Sequence, residues 1–267
     1  MYVRPVPKFA ANLSMLFTEA PLLERFECAA RAGFAAVEIQ FPYELPAEQL
    51  QQALFRNRLA LALFNLPAGD WAAGERGIAC LPDRVDEFRQ GLDTALAYAA
   101  ALGTPQLNCL AGIRPAQVPA DTARRVLIDN LRYAALRLET HGLKLLIEPI
   151  NTFDIPGFFL HGTRQALALI EAVGADNLFL QYDVYHMQRM EGELAATIEA
   201  HRDRIAHIQI ADHPGRHEPG SGEIDFDFLF ARLDRLGYEG WIGCEYRPAT
   251  TTAAGLGWAA PYLKTAE

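Results

Sequence analysis

Short apolar runs alternate with segments of helical periodicity along almost the whole chain. The runs are typical of buried strands, because turn-forming residues bound them and most of their side chains are apolar. They lie at residues 9–17, 36–41, 59–64, 106–111, 143–147, 178–183, 205–210 and 241–245. Between them, apolar side chains recur at the i, i+3, i+4 spacing of helices that pack on one face. These helices are predicted at residues 22–32, 46–58, 84–102, 121–140, 163–173, 193–204, 226–236 and about 253–263.

The regular alternation of strands and helices predicts parallel βαβ units. Eight such units in roughly 250 residues make a (β/α)8 TIM barrel, whose active site lies at the carboxyl ends of the strands. No linker rich in proline, glycine or serine divides the 267 residues, so we predict a single α/β domain over residues 1–267. An open doubly wound sheet would need a glycine-rich turn after the first strand, and residues 12–16 do not form one.

Oxygen-bearing side chains follow or end the last four predicted strands. Glu148, Asp183 and Glu245 stand at strand ends, and Gln209 lies within the seventh strand, close to Asp212. One strand-end acid alone is more simply explained as a cap or an ion-pair partner. A buried charge is unfavourable unless it is paired, and hard oxygen donors on four successive strands suit Mg²⁺ or Mn²⁺. The pattern therefore predicts a divalent-metal site.

Three further polar residues lie where a substrate would bind in a barrel. His186 follows Asp183 by three positions and could move a proton or donate to a substrate oxygen. Asp154 and Arg216 lie in the loops after the fifth and seventh strands, and an arginine there could hold a substrate carboxylate. The alternatives are that His186 is a structural residue and that Arg216 balances a loop acid such as Glu218.

The loop after the third strand, residues 65–82, is long and has no evident regular element. Loops of that length in compact domains are usually functional or disordered. The loop contains Asn65, Asp70, Trp71 and Arg76, which we take as candidate substrate-binding residues. A structural loop anchored by its tryptophan would look the same.

Charge and composition narrow the class of partner. The net charge of −9 argues against binding to nucleic acid or to an anionic membrane surface, although a local basic pocket for a small anion remains open. No apolar run approaches the ~20 residues of a membrane span, and the first residues lack the apolar core of a signal peptide. The four cysteines show no CxxC spacing, which favours free thiols in a reducing compartment. We expect a cytoplasmic protein without GxSxG, P-loop or HExxH chemistry.

Five segments carry a resemblance to a known family. They are residues 9–17, 65–77, 147–151, 181–192 and 243–246. These segments resemble bacterial hydroxypyruvate isomerases, which belong to the xylose isomerase-like barrel superfamily. The resemblance runs nearly end to end. It implies interconversion of hydroxypyruvate, a small 2-oxo acid that carries a carboxylate, with tartronate semialdehyde (2-hydroxy-3-oxopropanoate) by proton transfer through an enediolate.

The resemblance also implies roles for individual residues. The superfamily's metal positions match four residues, Glu148, Asp183, Gln209 and Glu245. The two glutamates also match the pair that moves the proton in related isomerases and epimerases. Substrate-contacting positions match Asp154, His186 and Arg216. The implied cofactor is Mg²⁺ or Mn²⁺, but hydrogen-bond donors alone can stabilise an enediolate, so the need for metal stays open.

Two departures from the wider superfamily bear on the substrate. Sugar epimerases usually have histidine where this chain has Gln209, whereas the hydroxypyruvate isomerase-like branch shares the glutamine. Relatives often have histidine before the Asn-Leu-Pro motif, where this chain has Phe64, so one polar substrate contact from this loop is in doubt.

Several alternatives remain beside the hydroxypyruvate reading. A 2-oxo-tetronate isomerase would use the same residues in a wider pocket, and Gln209 argues against a tagatose- or psicose-type 3-epimerase. An apurinic-site endonuclease would need many histidine ligands and a basic face, which seven histidines and a charge of −9 do not favour. A non-catalytic binding protein would more readily have lost Glu148 or Glu245. The sequence is compatible with a homo-oligomer.

Overall fold

Residues 7–263 are described by a computed structural model, in which eight parallel strands form a closed barrel. The strands are β1 Lys8–Asn12, β2 Ala36–Ile39, β3 Ala60–Asn65, β4 Gln106–Cys109, β5 Lys144–Ile147, β6 Leu178–Asp183, β7 Ile205–Ile210 and β8 Trp241–Cys244. Each strand pairs in parallel with the next, and β8 pairs with β1 to close the ring. This topology confirms the predicted (β/α)8 barrel.

Helices connect the strands and pack around the barrel. They are α1 Leu22–Arg31, α2 Ala47–Asn57, α3 Val85–Leu102, α4 Ala120–Glu139, α5 Thr163–Val173, α6 Val184–Met190, α7 Leu194–His201 and α8 Phe226–Leu236. Short 3₁₀ helices lie at Pro82–Arg84, Arg202–Arg204 and Ala254–Ala259. No helix within the described residues is both long enough and apolar enough to cross a membrane. The single domain over residues 1–267 stays a prediction, because residues 1–6 and 264–267 lie outside the described residues.

Three elements differ from the sequence prediction. The first strand ends at Asn12 rather than at residue 17, because the Asn12 side chain accepts a hydrogen bond from the Ser14 N–H and turns the chain. Helix α6 was missed, since seven residues are too few to show a clear periodicity. The predicted C-terminal α-helix is instead a short 3₁₀ helix; it contains Gly255 and Gly257, and glycine is a poor helix former.

The barrel and its helices enclose one large apolar core, but the barrel interior is largely polar. The core lies between the strands and the surrounding helices, as expected for parallel strands buried on both faces. Small side chains on three strands, Ala10, Ala36 and Ala62, form a separate apolar patch with Trp241. The buried polar residues of the strands are Asn12, Glu38, Asn65, Gln106, Asn108, Gln181, Asp183, His207 and Gln209. The interior is therefore built to hold polar groups.

The loop after β3 is irregular, as predicted, and is fastened to the loop after β4. Gly77 and Gly112 both have positive φ angles, of 112° and 102°. A Cβ atom on Gly77 would lie 2.4 Å from the Leu110 carbonyl oxygen, and one on Gly112 would lie 2.3 Å from the Gly77 carbonyl oxygen. The two loops can approach so closely because both residues are glycine. All four cysteines are free thiols, as the sequence predicted.

Candidate active site

Four of the residues proposed from the sequence meet at the carboxyl ends of the strands. Glu148, Asp183, His186 and Glu245 are all buried, and one ligand-type atom of each lies within 4.8 Å of the others. Glu148 follows β5, Asp183 ends β6 and Glu245 follows β8. His186 enters from the first turn of α6. The barrel therefore gathers residues that lie almost 100 positions apart in the sequence.

Asp183 has two carboxylate oxygens with different environments. Its Oδ1 caps α6, accepting hydrogen bonds from the N–H groups of Tyr185 at 2.8 Å and His186 at 3.3 Å. Its Oδ2 is buried and accepts no hydrogen bond from any described residue, although an Arg216 nitrogen lies 3.5 Å away. A buried carboxylate oxygen without a hydrogen bond is unfavourable unless a cation lies beside it. The free oxygen faces the cluster and fits a metal ligand.

Arg216 lies inside the cluster rather than beside a loop acid. Its guanidinium donates to Glu245 Oε2 and lies over the Tyr185 ring, 5.1 Å from the ring centroid. The Arg216 side chain is only 18% exposed. Glu218, the alternative partner, accepts instead from the backbone N–H of Ala249. Arg216 is therefore a cation placed among the clustered carboxylates.

The strand-end acid Asp212 has a structural role that explains the position of Arg216. The Arg216 N–H donates to the Asp212 carbonyl oxygen at 3.0 Å, at a residue whose own φ is positive. The Asp212 carboxylate accepts four backbone N–H groups at 2.8 to 3.1 Å, those of His213, Gly220, Gly222 and Ile224. These bonds hold the loop after β7 in the shape that brings the arginine inward.

Burial of three carboxylates beside one guanidinium shifts their protonation. Burial raises the pKa of Glu148 well above its usual range, and the charges of Glu245 and Asp183 raise it further. Burial also raises the pKa of Asp183, against the opposing effect of Arg216. The pKa of Glu245 rises to about 7 for the same reason and against the same arginine. With all three acids ionised, three negative charges face one positive charge, so a divalent cation or bound protons would neutralise the remainder.

His186 is held as a neutral hydrogen-bond donor. Burial lowers its pKa well below the usual range, and Arg216 and Arg189 lower it further. The Asn151 side-chain oxygen accepts from the N–H groups of Phe153 and Asp154, so its Nδ2 faces His186 Nδ1 at 2.6 Å. An Arg216 nitrogen also lies 3.5 Å from Nε2, but the Asn151 contact is much the shorter and decides the tautomer. We therefore assign the proton of the neutral ring to Nε2, 3.6 Å from Asp183 Oδ2. This protonated nitrogen suits a donor to substrate better than a metal ligand.

Asp154 lies next to this histidine but is bound by other residues. Its carboxylate accepts from Asn151 Nδ2 at 3.0 Å and from the Tyr185 hydroxyl at 2.9 Å, and it forms an ion pair with Arg189. Asn151 thus contacts both Asp154 and His186. Asp154 orients these neighbours in the structure, and its contact with substrate stays a prediction.

Gln209 lies opposite Asp183 in the pairing of β6 with β7 and belongs to a chain of amides. Its Oε1 accepts from Gln181 Nε2 at 2.6 Å, and its Nε2 donates to Glu38 Oε1 at 2.8 Å. Gln181 also donates to Glu148 Oε2 at 2.9 Å. The role of Gln209 as a metal ligand stays a prediction. Gln181 and Glu38 were not identified from the sequence, because they lie within strands rather than at strand ends.

The loop after β3 contributes in part. Asn65 Oδ1 accepts from Asn108 Nδ2 at 3.1 Å, and the same Asn108 nitrogen donates to Glu148 Oε2 at 2.9 Å. Trp71 is 38% exposed and packs against Phe41, with 4.9 Å between ring centroids. Asn65 thus reaches Glu148 through one amide, while Trp71 stands nearer the surface.

The other two candidates in this loop make contacts within it. The Arg76 guanidinium lies 4.2 Å from the Trp71 ring centroid and donates to the Trp71 carbonyl oxygen. Asp70 Oδ1 accepts from the Ala73 N–H at 2.9 Å. Their roles in substrate binding stay predictions.

A cavity of about 510 Å³ opens beside Glu245 and Arg216. Its lining includes Ser14, Gln40, Trp71, Arg216 and Arg247. Gln40 Nε2 donates to Glu245 Oε1 at 2.8 Å, which places the cavity against the cluster. Gln40 and Arg247 were not identified from the sequence as site residues, although Gln40 directly follows β2 and Arg247 follows Glu245 by two positions.

Known proteins match this chain over almost its whole length. A family model described as the xylose isomerase-like TIM barrel matches residues 26–262. Hydroxypyruvate isomerase of Escherichia coli (strain K12) is 57% identical over 255 residues, covering 96% of this chain and 99% of that protein. The 2-oxo-tetronate isomerase of Cupriavidus necator is 48% identical over 258 residues, covering 97% and 99%. Both are isomerases of small molecules.

A solved structure extends the comparison. It is described as an AP endonuclease, family 2, from Brucella melitensis, and is 45% identical with a TM-score of 0.94. The match covers 97% of this chain and all of that chain. The sequence match and the closed barrel together show that this chain belongs to the xylose isomerase-like TIM barrel family.

Proposed function

We propose that this protein is a hydroxypyruvate isomerase, which interconverts hydroxypyruvate and tartronate semialdehyde. The observation that carries the proposal is the pair of buried glutamates, Glu148 and Glu245, that meet in one cluster from opposite parts of the chain. Aldose–ketose isomerisation needs one group to remove a proton and another to return it on the neighbouring carbon. A pKa near the working pH suits both tasks, and the pKa of Glu245 is raised to about 7. The 57% identity to the Escherichia coli enzyme supports the substrate.

The two glutamates accept different sets of hydrogen bonds, which indicates different roles for them in the proton transfer. Glu148 Oε2 accepts from Asn108 and Gln181, while no bond to its Oε1 is made by residues 7–263. Both oxygens of Glu245 accept bonds, Oε1 from Gln40 and Oε2 from Arg216. Glu148 Oε1 is therefore the oxygen free to take the proton from the CH₂OH carbon when Glu148 is ionised. Burial raises the pKa of Glu148, and the charge of Arg216 opposes that rise and favours the ionised form. Glu245 is the group that returns a proton to the neighbouring carbon.

The chain also provides donors for the enediolate between these steps. Loss of the carbon-bound proton leaves negative charge on two substrate oxygens. His186 Nε2 and the Arg216 guanidinium both face the cluster and can donate to these oxygens, which stabilises the charge as it forms. The hydroxyl proton moves from the terminal oxygen to the adjacent one, so that reactant and product have the same atoms.

Mg²⁺ or Mn²⁺ is the cofactor that the donor set fits. Glu148, Asp183 and Glu245 are the residues that would hold it, and the unbonded Asp183 Oδ2 and the excess of negative charge support this. Gln209 would join them only by giving up the bond that its Oε1 accepts from Gln181. A bound divalent ion would act as a Lewis acid toward the substrate oxygens. A glutamate that also binds metal must keep one oxygen free for the proton, as Glu148 Oε1 would have to.

Binding of the substrate carboxylate needs a cation other than Arg216. Arg216 is already engaged with Glu245 and lies near Asp183. Arg247 lines the same cavity, is exposed, and makes no side-chain hydrogen bond or ion pair with the described residues. We assign the carboxylate to Arg247 and the enediolate oxygens to Arg216, because a guanidinium without a partner is available for a carboxylate.

A 2-oxo-tetronate isomerase is the second candidate. The 48% identity to the Cupriavidus necator protein favours it, and a cavity of about 510 Å³ has room for a fourth carbon. A nuclease, as the description of the Brucella melitensis structure would suggest, is disfavoured because the net charge is −9 and the cluster contains one histidine. A cytoplasmic location, a place in glyoxylate metabolism and a homo-oligomer are further proposals; the free thiols support the first.

The test is an isomerisation assay with two substrates. Purified protein is assayed with hydroxypyruvate and with a four-carbon 2-oxo acid, each with and without EDTA, by coupling to reduction of the aldehyde product. Glu245→Gln removes one proton-transfer group. Glu139→Gln is the matched control, because Glu139 is exposed at the end of α4.

The outcomes separate the candidates. Faster turnover of hydroxypyruvate, lost in Glu245→Gln and kept in Glu139→Gln, supports the proposal. Faster turnover of the four-carbon acid would favour the 2-oxo-tetronate isomerase, with the same mechanism on a different substrate. Turnover of neither acid by protein supplied with Mg²⁺ or Mn²⁺ contradicts both. Loss of activity in EDTA that returns with Mg²⁺ or Mn²⁺ would establish the metal.

A further inference from the structure

Glu38 is an acid inside the barrel that the proposed mechanism does not use. It lies on β2, is 1% exposed and accepts three side-chain hydrogen bonds. Its Oε1 accepts from Asn12 Nδ2 at 2.9 Å and from Gln209 Nε2 at 2.8 Å. Its Oε2 accepts from His207 Nε2 at 2.8 Å. Two of these donors lead onward to the candidate active site.

The first connection runs through Asn12 to Glu245. The Asn12 Nδ2 that donates to Glu38 also donates to Glu245 Oε1 at 3.1 Å. The Asn12 Oδ1 accepts from the Ser14 N–H at 3.0 Å, so the amide cannot turn over without losing this bond. A single amide group thus joins Glu38 to one of the two glutamates proposed to move the proton.

The second connection runs through Gln209 and Gln181 to Glu148. Glu38 Oε1 accepts from Gln209 Nε2, and this bond holds the Gln209 amide with its NH₂ group toward Glu38 and its oxygen toward Gln181. Gln181 can then donate to both Gln209 Oε1 and Glu148 Oε2, at 2.6 and 2.9 Å. The orientation of the Gln209 amide therefore determines which group of Gln181 faces Glu148 Oε2.

We propose that Glu38 is a positioning residue that orients both Glu148 and Glu245 through these two hydrogen-bond arms. The proposal rests on the proposed function for its effect on turnover, but the geometry can be tested without any substrate. Within the described residues, Glu38 makes no hydrogen bond to either cluster glutamate, although burial and, less strongly, the charge of Glu38 raise the pKa of Glu245. It acts because it accepts from Asn12 and from Gln209, and each of these amides transmits its orientation to one side of the site.

Two features of the barrel hold Glu38 in the required position. His207 donates to it from Nε2, while His207 Nδ1 lies 3.4 Å from Gln106 Nε2, which can donate to that nitrogen. On β8, a Cβ atom on Gly243 would lie 2.3 and 2.5 Å from the two Glu38 oxygens. The absence of a side chain at Gly243 leaves the space that the Glu38 carboxylate fills.

The simpler explanation is that Glu38 and His207 form a buried pair that only stabilises the barrel. Such a pair would lower stability when broken, without moving the cluster glutamates. A positioning residue should instead change turnover more than substrate affinity, and should displace Glu148 or Glu245 in the folded protein. The two explanations therefore differ in measurable ways.

The test is Glu38→Met, which keeps about the size of the side chain but removes both acceptor oxygens. The Asn12 and Gln209 amides then lose the acceptor that they share at Glu38 Oε1, so both arms are broken. We expect kcat for hydroxypyruvate to fall about 10- to 100-fold, corresponding to a loss of one or two hydrogen-bonded orientations. We expect KM to stay within about twofold. A crystal structure of the variant should show Glu148 or Glu245 displaced.

Asn177→Ala is the control for loss of stability alone. Asn177 donates to the carbonyl oxygens of Ala135 and Leu143 just before β6, away from the strand ends that form the site. It should lower the midpoint of urea unfolding and leave kcat unchanged. Comparison at equal loss of stability then isolates the effect of orientation.

The outcomes separate this proposal from the proposed function. If Glu38→Met keeps kcat within twofold and leaves both glutamates in place, Glu38 is not a positioning residue. If the wild-type protein isomerises neither acid, the proposed function fails, and the crystal structure of Glu38→Met alone decides the positioning role. Displaced glutamates would support it, and unmoved glutamates would overturn it.

Discussion

The two halves of the barrel serve the candidate site in different ways. Strands β5, β6 and β8 bring the three clustered carboxylates, each at or just after the end of its strand. Strands β1 to β4 bring none of them and instead provide four buried amides and one buried acid: Asn12, Glu38, Asn65, Gln106 and Asn108. The second half supplies the reactive groups, while the first half supplies most of the amides around them, together with Gln181 and Gln209 of the second half.

This difference has a physical origin. Carboxylates at the strand ends can reach a substrate, but three of them together repel one another and lose hydration. Amides on the neighbouring strands donate hydrogen bonds to them: Asn108 on β4 donates to Glu148 after β5, and Asn12 on β1 donates to Glu245 after β8. Removing a reactive group should therefore abolish turnover, whereas removing an orienting group should only reduce it.

The largest effect is expected from the two reactive glutamates. Glu148→Gln and Glu245→Gln should each lower kcat by about 10³- to 10⁴-fold, near the upper range for a general acid or base. The two variants should differ in ²H₂O. Glu245→Gln should still exchange the proton of the CH₂OH carbon with solvent, and Glu148→Gln should not, because Glu148 Oε1 is the free oxygen. Exchange is followed by NMR against an enzyme-free sample.

Exchange lost in Glu245→Gln and kept in Glu148→Gln would reverse the two roles. Equal loss in both would mean that neither glutamate can act without the other. A variant that keeps more than a tenth of wild-type kcat would remove that glutamate from the mechanism. Urea unfolding of each variant establishes that the fold is intact.

The sequence predicted the second half of the barrel better than the first. A charge at the end of an apolar run is visible in the sequence, so Glu148, Asp183 and Glu245 could be selected. Asn12 and Glu38 lie within apolar runs and have no such signal. Their partners are distant, since Glu38 and His207 are 169 positions apart and meet only when the barrel closes.

The fold was predicted because its periodicity is local and repeated. The exceptions are local as well. The Asn12 side chain turns the chain after β1, and Asp183 caps a helix that begins at the next residue. Both effects depend on a side chain binding a backbone N–H two or three positions ahead, which apolar periodicity does not report.

Removing the cation from the second half should have the next largest effect. Arg216→Gln leaves three buried carboxylates without their guanidinium, and loss of one partner of a buried pair destabilises by about 3–5 kcal/mol. The wild-type acids already have raised pKa values, so they bind more protons folded than unfolded. The stability they contribute is present at low pH and is lost as pH rises through about 7, the folded pKa of Glu245.

Arg216→Gln should steepen that loss, since Arg216 opposes the rise in the pKa of Asp183 and of Glu245. The measurement is urea unfolding in EDTA at pH 5 and pH 8 for both proteins. We expect the free energy of unfolding of the variant to lie further below that of the wild type at pH 8 than at pH 5. An equal loss at both pH values would mean that the arginine stabilises the protein through packing rather than through its charge.

A smaller effect is expected from the space beside Glu38. Gly243→Ala should push the Glu38 carboxylate away, because the new Cβ would lie 2.3 Å from Glu38 Oε2. We expect kcat to fall about tenfold, equivalent to about 1.4 kcal/mol, with KM nearly unchanged. Gly257→Ala is the matched control, since a Cβ there meets nothing within 4 Å. Full activity in Gly243→Ala would mean that Glu38 can move without affecting the cluster.

An effect on KM rather than on kcat is expected at the cavity mouth, where the Arg247 side chain is exposed. Arg247→Gln should raise KM for hydroxypyruvate about tenfold and leave kcat nearly unchanged, because binding of the carboxylate is lost equally in the ground state and the transition state. Arg235→Gln is the control, as this arginine is exposed in the last turn of α8. A fall in kcat without a change in KM would instead place Arg247 with the groups that stabilise the enediolate, and unchanged kinetics would remove it from the site.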